Sequence, residues 1–154
     1  MPRHAAMLDI DTLPAAAGAY ALLIRLPASW IADIPHLCGR VLGPGRYVYC
    51  GSAWGPGGLG ARVTRHLRTR KPVRWHVDRL TRAGRIEGAA VRVGGRECDL
   101  VDALAAAGAT VPLAGFGSSD CRHCRAHLVA VPDDLGLIGL SRIIGLGPDA
   151  VLSL

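Results

Sequence analysis

The sequence predicts a protein of the α+β class, in which helices pack on a small sheet in the order β-β-α-α-β-α. Two patterns support this prediction. Apolar side chains alternate along three segments, as in strands, and they recur every four positions along others, as in amphipathic helices. The 154 residues fit one domain, and 50% of them are hydrophobic, which is enough to bury a core and excludes wholesale disorder.

The predicted strands cover residues 20–26, 46–52 and 86–93. In the first strand, Tyr20 and Leu22 share one face, and Pro27 ends the strand. In the second strand, Tyr47 and Tyr49 share one face. Because only a modest connection joins these two strands, we expect them to pair in an antiparallel manner.

The predicted helices cover residues 59–69, 72–84 and 96–107. In the first helix, Leu59, Val63 and Leu67 recur every four residues and form an apolar stripe. Gly108 follows the third helix as its expected cap. Between the first two strands the chain is expected to be irregular, with a short helical turn at residues 30–37.

Positive charge is concentrated in one segment of the chain. Nine of the 18 lysines and arginines, but only one of the 12 acids, lie between Arg62 and Arg85, within a chain of net charge +6. This density favours a phosphate backbone as the partner, although a solvated helix face would have a similar composition. The candidate nucleic-acid-binding residues are Arg65, Arg68, Arg70, Lys71 and Arg74.

The ends of the chain and its cysteines bear on its location. The N-terminus lacks the apolar segment of a signal peptide, and Arg142 with several glycines interrupts the apolar C-terminal end, so neither secretion nor a membrane span is expected. Five cysteines without a secretory signal argue against a disulfide framework. We therefore expect a soluble, cytoplasmic protein. The predicted parts of the chain are an N-terminal extension (residues 1–15), a folded domain (residues 16–131) and an apolar tail (residues 132–154).

Three side chains within these elements are candidates for chemistry. Glu97 lies in the opening turn of the third helix, on the face that Val101 and Leu104 direct toward the core. A carboxylate there must be hydrogen-bonded, paired or bound to a cation, whereas an exposed one would only complement the helix dipole. Tyr20 and Tyr49 are compatible with core packing as well as with catalysis.

A short cysteine- and histidine-rich segment is a candidate zinc site. Cys121, Cys124 and His127 offer soft ligands within seven residues. So short a segment cannot easily surround an ion, so a fourth ligand such as Cys98 or Cys38 would be needed. The alternative is a group of buried thiols near the core.

The order of the motifs is more specific than any one of them. The motifs are Gly18-Ala19-Tyr20, then Tyr47-Val48-Tyr49-Cys50-Gly51, then Arg62 and His66 on one helix, then Glu97 opening another. This order resembles the GIY-YIG nuclease superfamily over residues 16–131. The run Trp75-His76-Val77-Asp78 is similar to a branch whose members occur alone or fused to endonuclease III-type repair glycosylases.

The resemblance implies a three-stranded antiparallel sheet flanked by helices, and it implies a role for each matching residue. Tyr49 would be the general base that activates water, and Tyr20 would help to organise the water and the phosphate. Arg62 would neutralise the scissile phosphate, and His66 would assist the base. Glu97 would be the sole protein ligand of a divalent ion, Mg²⁺ or Mn²⁺.

Three further features concern the fit to the family. His76 belongs to the motif of this branch, and its position is near the one at which some relatives have a further active-site histidine. Cys50 replaces the isoleucine of the central motif, and the chain contains no asparagine, although many relatives have one late in the domain. The residues that could stand in for it are Ser118, Ser119 and Asp120.

Three functions are compatible with these patterns. The first is a metal-dependent DNA endonuclease of DNA repair or processing. The second is a non-catalytic nucleic-acid-binding module in which the Cys/His cluster is a zinc clamp. The third is an interaction protein whose apolar tail docks on a second copy, giving a homodimer, or on a repair-protein partner.

Overall fold

Alternating and continuous apolar segments assemble into one main sheet with helices on both faces. The computed structural model describes residues 8–37, 39–68, 71–117, 121–146 and 150–154. The strands are β1 (Gly18–Leu26), β2 (Trp30–Ile31), β3 (Val41–Leu42), β4 (Gly45–Ala53), β5 (Arg85–Val93), β6 (Leu128–Val131) and β7 (Val151–Ser153). The α-helices are α1 (Gly58–Leu67), α2 (His76–Ala83), α3 (Glu97–Ala106) and α4 (Leu137–Ile143), and 3-10 turns occur at Ile10–Thr12 and Pro35–Leu37.

The main sheet has five strands in the order β6-β4-β1-β5-β7, and every neighbouring pair is antiparallel. The three predicted strands correspond to β1, β4 and β5 at its centre, and the expected antiparallel pairing of the first two is confirmed, with Tyr20 opposite Gly51. The prediction of a three-stranded sheet is wrong, because β6 and β7 extend both edges. These strands are short and apolar without alternation, so the sequence pattern does not distinguish them from loops or helix segments.

Each face of the sheet is covered by a pair of helices. Tyr20 and Leu22 of β1 belong to a core that includes Leu59 of α1 and Leu80 of α2. The alternate β1 residues, such as Leu23, belong to a second core with α3 and α4. Because β1 is buried on both faces, its whole length is apolar except for one arginine. The small β2–β3 sheet contributes Leu42 to the first core.

The second helix begins later than its apolar pattern predicts. The sequence favours a start at Pro72, but α2 begins at His76. The Asp78 carboxylate accepts hydrogen bonds from the backbone N–H groups of Arg74 and Trp75, at 2.9 and 3.0 Å. These bonds satisfy N–H groups that precede the first helical turn, and they fix the start of the helix.

The apolar residues near the C-terminus are packed within the chain. In α4, Leu140 is fully buried in the second core, and Val151 of β7 is buried in the same core. Leu152 pairs with Ala89 of β5. Packing against the sheet therefore accounts for the hydropathy of this segment. Within the described ranges, no helix has the length and apolar character needed to cross a membrane.

The close approach of β1 and β4 at Gly51 leads to the first prediction. A Cβ atom at Gly51 would overlap the Cζ and hydroxyl atoms of Tyr20, so Gly51→Ala should displace this buried ring. We expect the free energy of unfolding, measured with urea, to fall by about 1–3 kcal/mol. The matched control is Gly43→Ala, because a Cβ there meets nothing within 4 Å. Equal stability of the two variants would contradict this packing.

Candidate active site

A cleft of about 500 Å³ opens where β1 begins and β4 ends. The start of β1 contributes Tyr20, the middle of β4 contributes Tyr49, α1 contributes Arg62 and the first turn of α3 contributes Glu97. The structure therefore brings four of the six predicted catalytic residues to one cleft. The remaining lining residues are Gly51, Ser52, Trp75, Gly117, Cys121, Arg122, His123 and His127.

His66 lies beneath this cleft and is hydrogen-bonded to Tyr20. Its Nε2 atom is 2.7 Å from the Tyr20 hydroxyl, and both side chains are buried. Its Nδ1 atom has no hydrogen-bond partner among the described residues, and it faces Asp78 Oδ1 at 3.8 Å. The sequence predicts His66 as an assistant to Tyr49, but its hydrogen bond goes to Tyr20.

Burial sets the charge of this histidine. Burial, followed by the charge of Lys71, lowers the pKa of His66 to about 3, although Asp78 opposes the shift. Burial also opposes ionisation of Asp78, but hydrogen bonds from Arg65 and from the backbone N–H groups of Trp75 and Arg74 outweigh it and lower the pKa of this carboxyl. At neutral pH the pair is therefore a neutral imidazole facing a carboxylate.

Asp78 also holds the basic residues of α1 in place. The two terminal nitrogens of Arg65 donate to its two carboxylate oxygens, each at 3.1 Å. The Trp75 ring carries the guanidinium of Arg65 at 4.2 Å and that of Arg62 at 4.5 Å from its centroid. From the sequence, Trp75 and Asp78 are predicted only as members of the branch motif Trp75-His76-Val77-Asp78, without a role in the site. The signal that could have identified Asp78 is its place as the single acid among nine basic residues.

Both cleft tyrosines are protonated phenols at neutral pH. Burial and the neighbouring Tyr49 hydroxyl raise the pKa of Tyr20 well above its usual value. Burial, followed by Cys50 and Asp78, raises the pKa of Tyr49. Arg62 lowers the pKa of each tyrosine, but by less than burial raises it.

Glu97 is half-buried at the start of α3 and lines the cleft. Within the described part of the chain, its carboxylate has no hydrogen bond and no ion pair with another side chain. Its oxygens are therefore available, and carboxylate oxygens are ligands that Mg²⁺ and Mn²⁺ prefer.

His76 does not line this cleft. Its Nδ1 atom accepts a hydrogen bond from the Gly117 backbone N–H at 2.9 Å, and its ring packs against His36 and Phe116. Burial, followed by His36 and Arg79, lowers the pKa of His76. These contacts connect α2 to the segment that leads toward Cys121.

The predicted nucleic-acid-binding residues differ in their availability. Arg65 bonds to Asp78 and to the Pro72 carbonyl, and Lys71 donates to the His66 carbonyl. The Arg68 and Arg74 side chains are exposed. Arg70 lies outside the described residues, as do the asparagine substitutes proposed from the sequence, Ser118, Ser119 and Asp120.

A cluster of three thiols and one imidazole lies beside the cleft. The ligand atoms of Cys98, Cys121, Cys124 and His127 lie within 4.8 Å of one another, and this Cys₃His set could hold a metal ion such as zinc. The sequence left the fourth ligand open between Cys98 and Cys38. The structure places Cys98, which follows Glu97, in the cluster, whereas Cys38 lies outside the described residues. The backbone N–H of Cys124 donates to Cys121 Sγ and lowers the pKa of that thiol to about 6.

The fold and the cleft define an α+β domain with a polar site of tyrosine, arginine and glutamate side chains next to a Cys₃His cluster. The chain belongs to the family described as Domain of unknown function DUF123, whose model matches residues 19–139. This match includes all the cleft residues named above. No curated protein and no solved structure matched the chain.

The lowered pKa of His66 leads to the second prediction. In the unfolded chain His66 takes up a proton near pH 6.5, whereas in the folded chain its pKa is about 3, so its contribution to stability is complete above pH 6.5 and is lost as the pH falls. Between pH 6.5 and 4, protonation of His66 in the unfolded chain should lower the free energy of unfolding of the wild type by roughly 3 kcal/mol. We expect His66→Gln to lack this part of the decrease.

The measurement is urea unfolding of wild type and variant at several pH values between 4 and 7. Asp78 remains ionised in both states over most of this range, so the difference between the two slopes isolates the histidine. Parallel slopes would contradict a neutral, buried His66. His123→Gln is the control, since His123 is exposed and its hydrogen bond to Asp102 raises its pKa instead of lowering it.

Proposed function

We propose that this chain is a divalent-metal-dependent DNA endonuclease of the GIY-YIG type, acting in DNA repair or processing. The observation that carries the proposal is the convergence of Tyr20, Tyr49, Arg62 and Glu97 on one cleft. Hydrolysis of a phosphodiester needs an activated water, neutralisation of phosphate charge and stabilisation of the leaving oxygen. The four side chains supply groups suited to each of these tasks.

The fold and the family match support the proposal. The strands β1, β4 and β5 at the centre of the sheet are the three that the sequence predicted and that the resemblance to the GIY-YIG superfamily implies, and β6 and β7 lie at the edges. The tyrosines correspond to the two family motifs and lie on the neighbouring strands β1 and β4, with ring centroids 6.4 Å apart. The matched residues 19–139 contain both motifs, Arg62 and Glu97.

Arg62 is suited to bind the scissile phosphate. Its guanidinium rests on the Trp75 ring and, within the described residues, forms no ion pair with a carboxylate. None of the described carboxylates therefore neutralises its charge. A phosphate that enters the cleft would meet a pre-positioned cation with donors that match its oxygens.

Tyr20 and His66 are suited to orient the attacking water. A neutral imidazole carries one proton, and the Asp78 carboxylate at 3.8 Å favours that proton on Nδ1. The Nε2 atom then accepts the proton of the Tyr20 hydroxyl across 2.7 Å. Because the Tyr20 proton is donated in the hydrogen bond to His66, the lone pairs of the Tyr20 oxygen remain as acceptors for a hydrogen bond from water in the cleft.

Glu97 is suited to hold Mg²⁺ or Mn²⁺, because it lines the cleft and its carboxylate has no side-chain partner among the described residues. When bound, such an ion supplies Lewis-acid stabilisation of charge on the phosphate and the leaving oxygen. Tyr49 is the proposed general base. Its phenolate form would take a proton from the attacking water. Because burial raises the pKa of Tyr49, this form is scarce at neutral pH.

The raised pKa of Tyr49 leads to the third prediction. Below the pKa of a base, its active fraction rises tenfold for each pH unit, so the single-turnover cleavage rate should rise by about tenfold per unit between pH 7 and 9. The rate is measured with saturating enzyme on labelled DNA at fixed Mg²⁺. In Tyr49→Phe we expect a much lower rate without this slope. A flat profile in the wild type would exclude Tyr49 as the base.

The fourth prediction concerns Glu97 and tests the proposed function directly. Cleavage of labelled single-stranded, duplex and branched DNA is measured with Mg²⁺, Mn²⁺ or EDTA. We expect cutting by the wild type that requires the metal, and a loss of about a thousandfold in Glu97→Gln, because the cation ligand is lost. Asp99→Asn is the matched control, since Asp99 is exposed in the same helical turn and carries the same charge.

A second candidate is a non-catalytic nucleic-acid-binding module. The Cys₃His cluster favours it, because two of its members line the same cleft as Arg62 of the basic α1. This module would bind DNA in a salt-dependent manner, with equal affinity in wild type and Glu97→Gln, and neither protein would cut. Metal-dependent cutting that is lost in Glu97→Gln would exclude it. The same assay therefore separates the two functions.

A further inference from the structure

The Cys₃His cluster has dimensions suited to one tetrahedral metal ion. Cys98 Sγ lies 3.5 Å from Cys121 Sγ and 3.9 Å from His127 Nε2. In a tetrahedral zinc site, with Zn–S bonds of about 2.3 Å and Zn–N bonds of about 2.0 Å, neighbouring ligand atoms are about 3.5–3.8 Å apart. These two distances are close to the separations that an ion would impose, and all four ligand atoms lie within 4.8 Å of one another.

The donor set selects the kind of metal. Thiolates and imidazole are soft and borderline ligands, which prefer zinc to the magnesium or manganese that a lone carboxylate would take. Four protein ligands complete a tetrahedron and leave no open position, which is typical of a structural and not a catalytic zinc site. The Cys124 N–H donates to Cys121 Sγ at 3.4 Å, which supports the charge of a thiolate ligand.

The cluster connects two parts of the cleft wall. Cys98 directly follows Glu97 in α3, while the other three ligands come from residues 121–127. That segment is anchored to the sheet, since the His127 carbonyl accepts from the Cys50 N–H of β4 at 2.9 Å. One more contact joins the same two parts, between His123 Nε2 and Asp102 of α3 at 3.0 Å.

We propose that Cys98, Cys121, Cys124 and His127 bind one structural Zn²⁺, which joins the start of α3 to the segment 121–127 beside β4 and thereby positions the Glu97 carboxylate in the cleft. The positioning part rests on the proposed function of Glu97 as a ligand of the catalytic cation, whereas the zinc site itself does not. The chain would thus carry two chemically different metals next to each other. The zinc would be permanent, and the ion at Glu97 would be exchangeable.

The zinc site is tested by metal analysis of the full chain, purified under reducing conditions and dialysed against metal-free buffer. We expect about one zinc per chain in the wild type and in Cys50→Ala, because Cys50 is buried in the second core and is not one of the four proposed ligands. Zinc should be nearly absent in Cys121→Ser, while Cys124→His should retain it because imidazole can replace a thiolate ligand. Wild type reconstituted with Co²⁺ should give the thiolate charge-transfer band and the strong d–d absorption of a tetrahedral site.

A wild type without zinc, without a tetrahedral cobalt spectrum, or with a disulfide between Cys98 and Cys121 would overturn the zinc site. Because these readouts do not involve DNA, they decide the question whether or not the protein is a nuclease. If zinc is absent while cleavage still depends on Glu97, this inference fails and the proposed function stands. If zinc is present without any cleavage, the proposed function fails and the zinc site stands.

The positioning part is tested by Mn²⁺ binding, followed by electron paramagnetic resonance, to zinc-loaded wild type, zinc-stripped wild type and Glu97→Gln. Circular dichroism verifies that the stripped protein keeps its fold. We expect removal of zinc to weaken Mn²⁺ binding by about 10- to 100-fold, with restoration by one equivalent of Zn²⁺. Unchanged Mn²⁺ affinity in the folded, zinc-stripped protein would show that zinc does not position Glu97.

Discussion

The buried carboxylate of Asp78 is the group on which the basic side of the cleft depends. It is fully buried, and it accepts hydrogen bonds from two nitrogens of Arg65 and from the backbone N–H groups of Arg74 and Trp75. An unpaired carboxylate would not remain ionised in such a place, so these four donors are a condition for its charge. The same bonds fix the start of α2, and the remaining side of the carboxylate faces His66.

The order imposed by Asp78 extends into the cleft through two routes. One route passes through His66 to the Tyr20 hydroxyl, because the carboxylate favours the tautomer that accepts the tyrosine proton. The other passes through Trp75, whose ring is held at the start of α2 and supports Arg62. Asp78, the single acid within the most basic segment, thus connects the start of α2 to both Tyr20 and Arg62 in the cleft.

The sequence predicted the centre of the fold and most of the cleft, for identifiable reasons. The strands β1, β4 and β5 and the helix α1 bury alternating or four-spaced apolar residues, which is the signal that a single sequence carries. In contrast, β7 is defined by its pairing with a distant strand, and the start of α2 is defined by the side chain of Asp78. The fourth ligand of the Cys₃His cluster was ambiguous for the same reason, since Cys98 meets Cys121 only in the folded chain.

The electrostatics of the cleft make Arg62 the residue on which the proposed tyrosine chemistry depends. Burial raises the pKa of both Tyr20 and Tyr49, and Arg62 lowers the pKa of each. A carboxylate paired with Arg62 would cancel this effect, but the nearby Asp78 is already engaged by Arg65. Trp75 holds the Arg62 guanidinium through its ring face and so positions the charge without neutralising it. One arginine is paired with the buried acid, and the other lies over the ring without a carboxylate partner among the described residues. This arrangement places a positive charge beside two buried phenols, as the proposed phosphodiester hydrolysis requires.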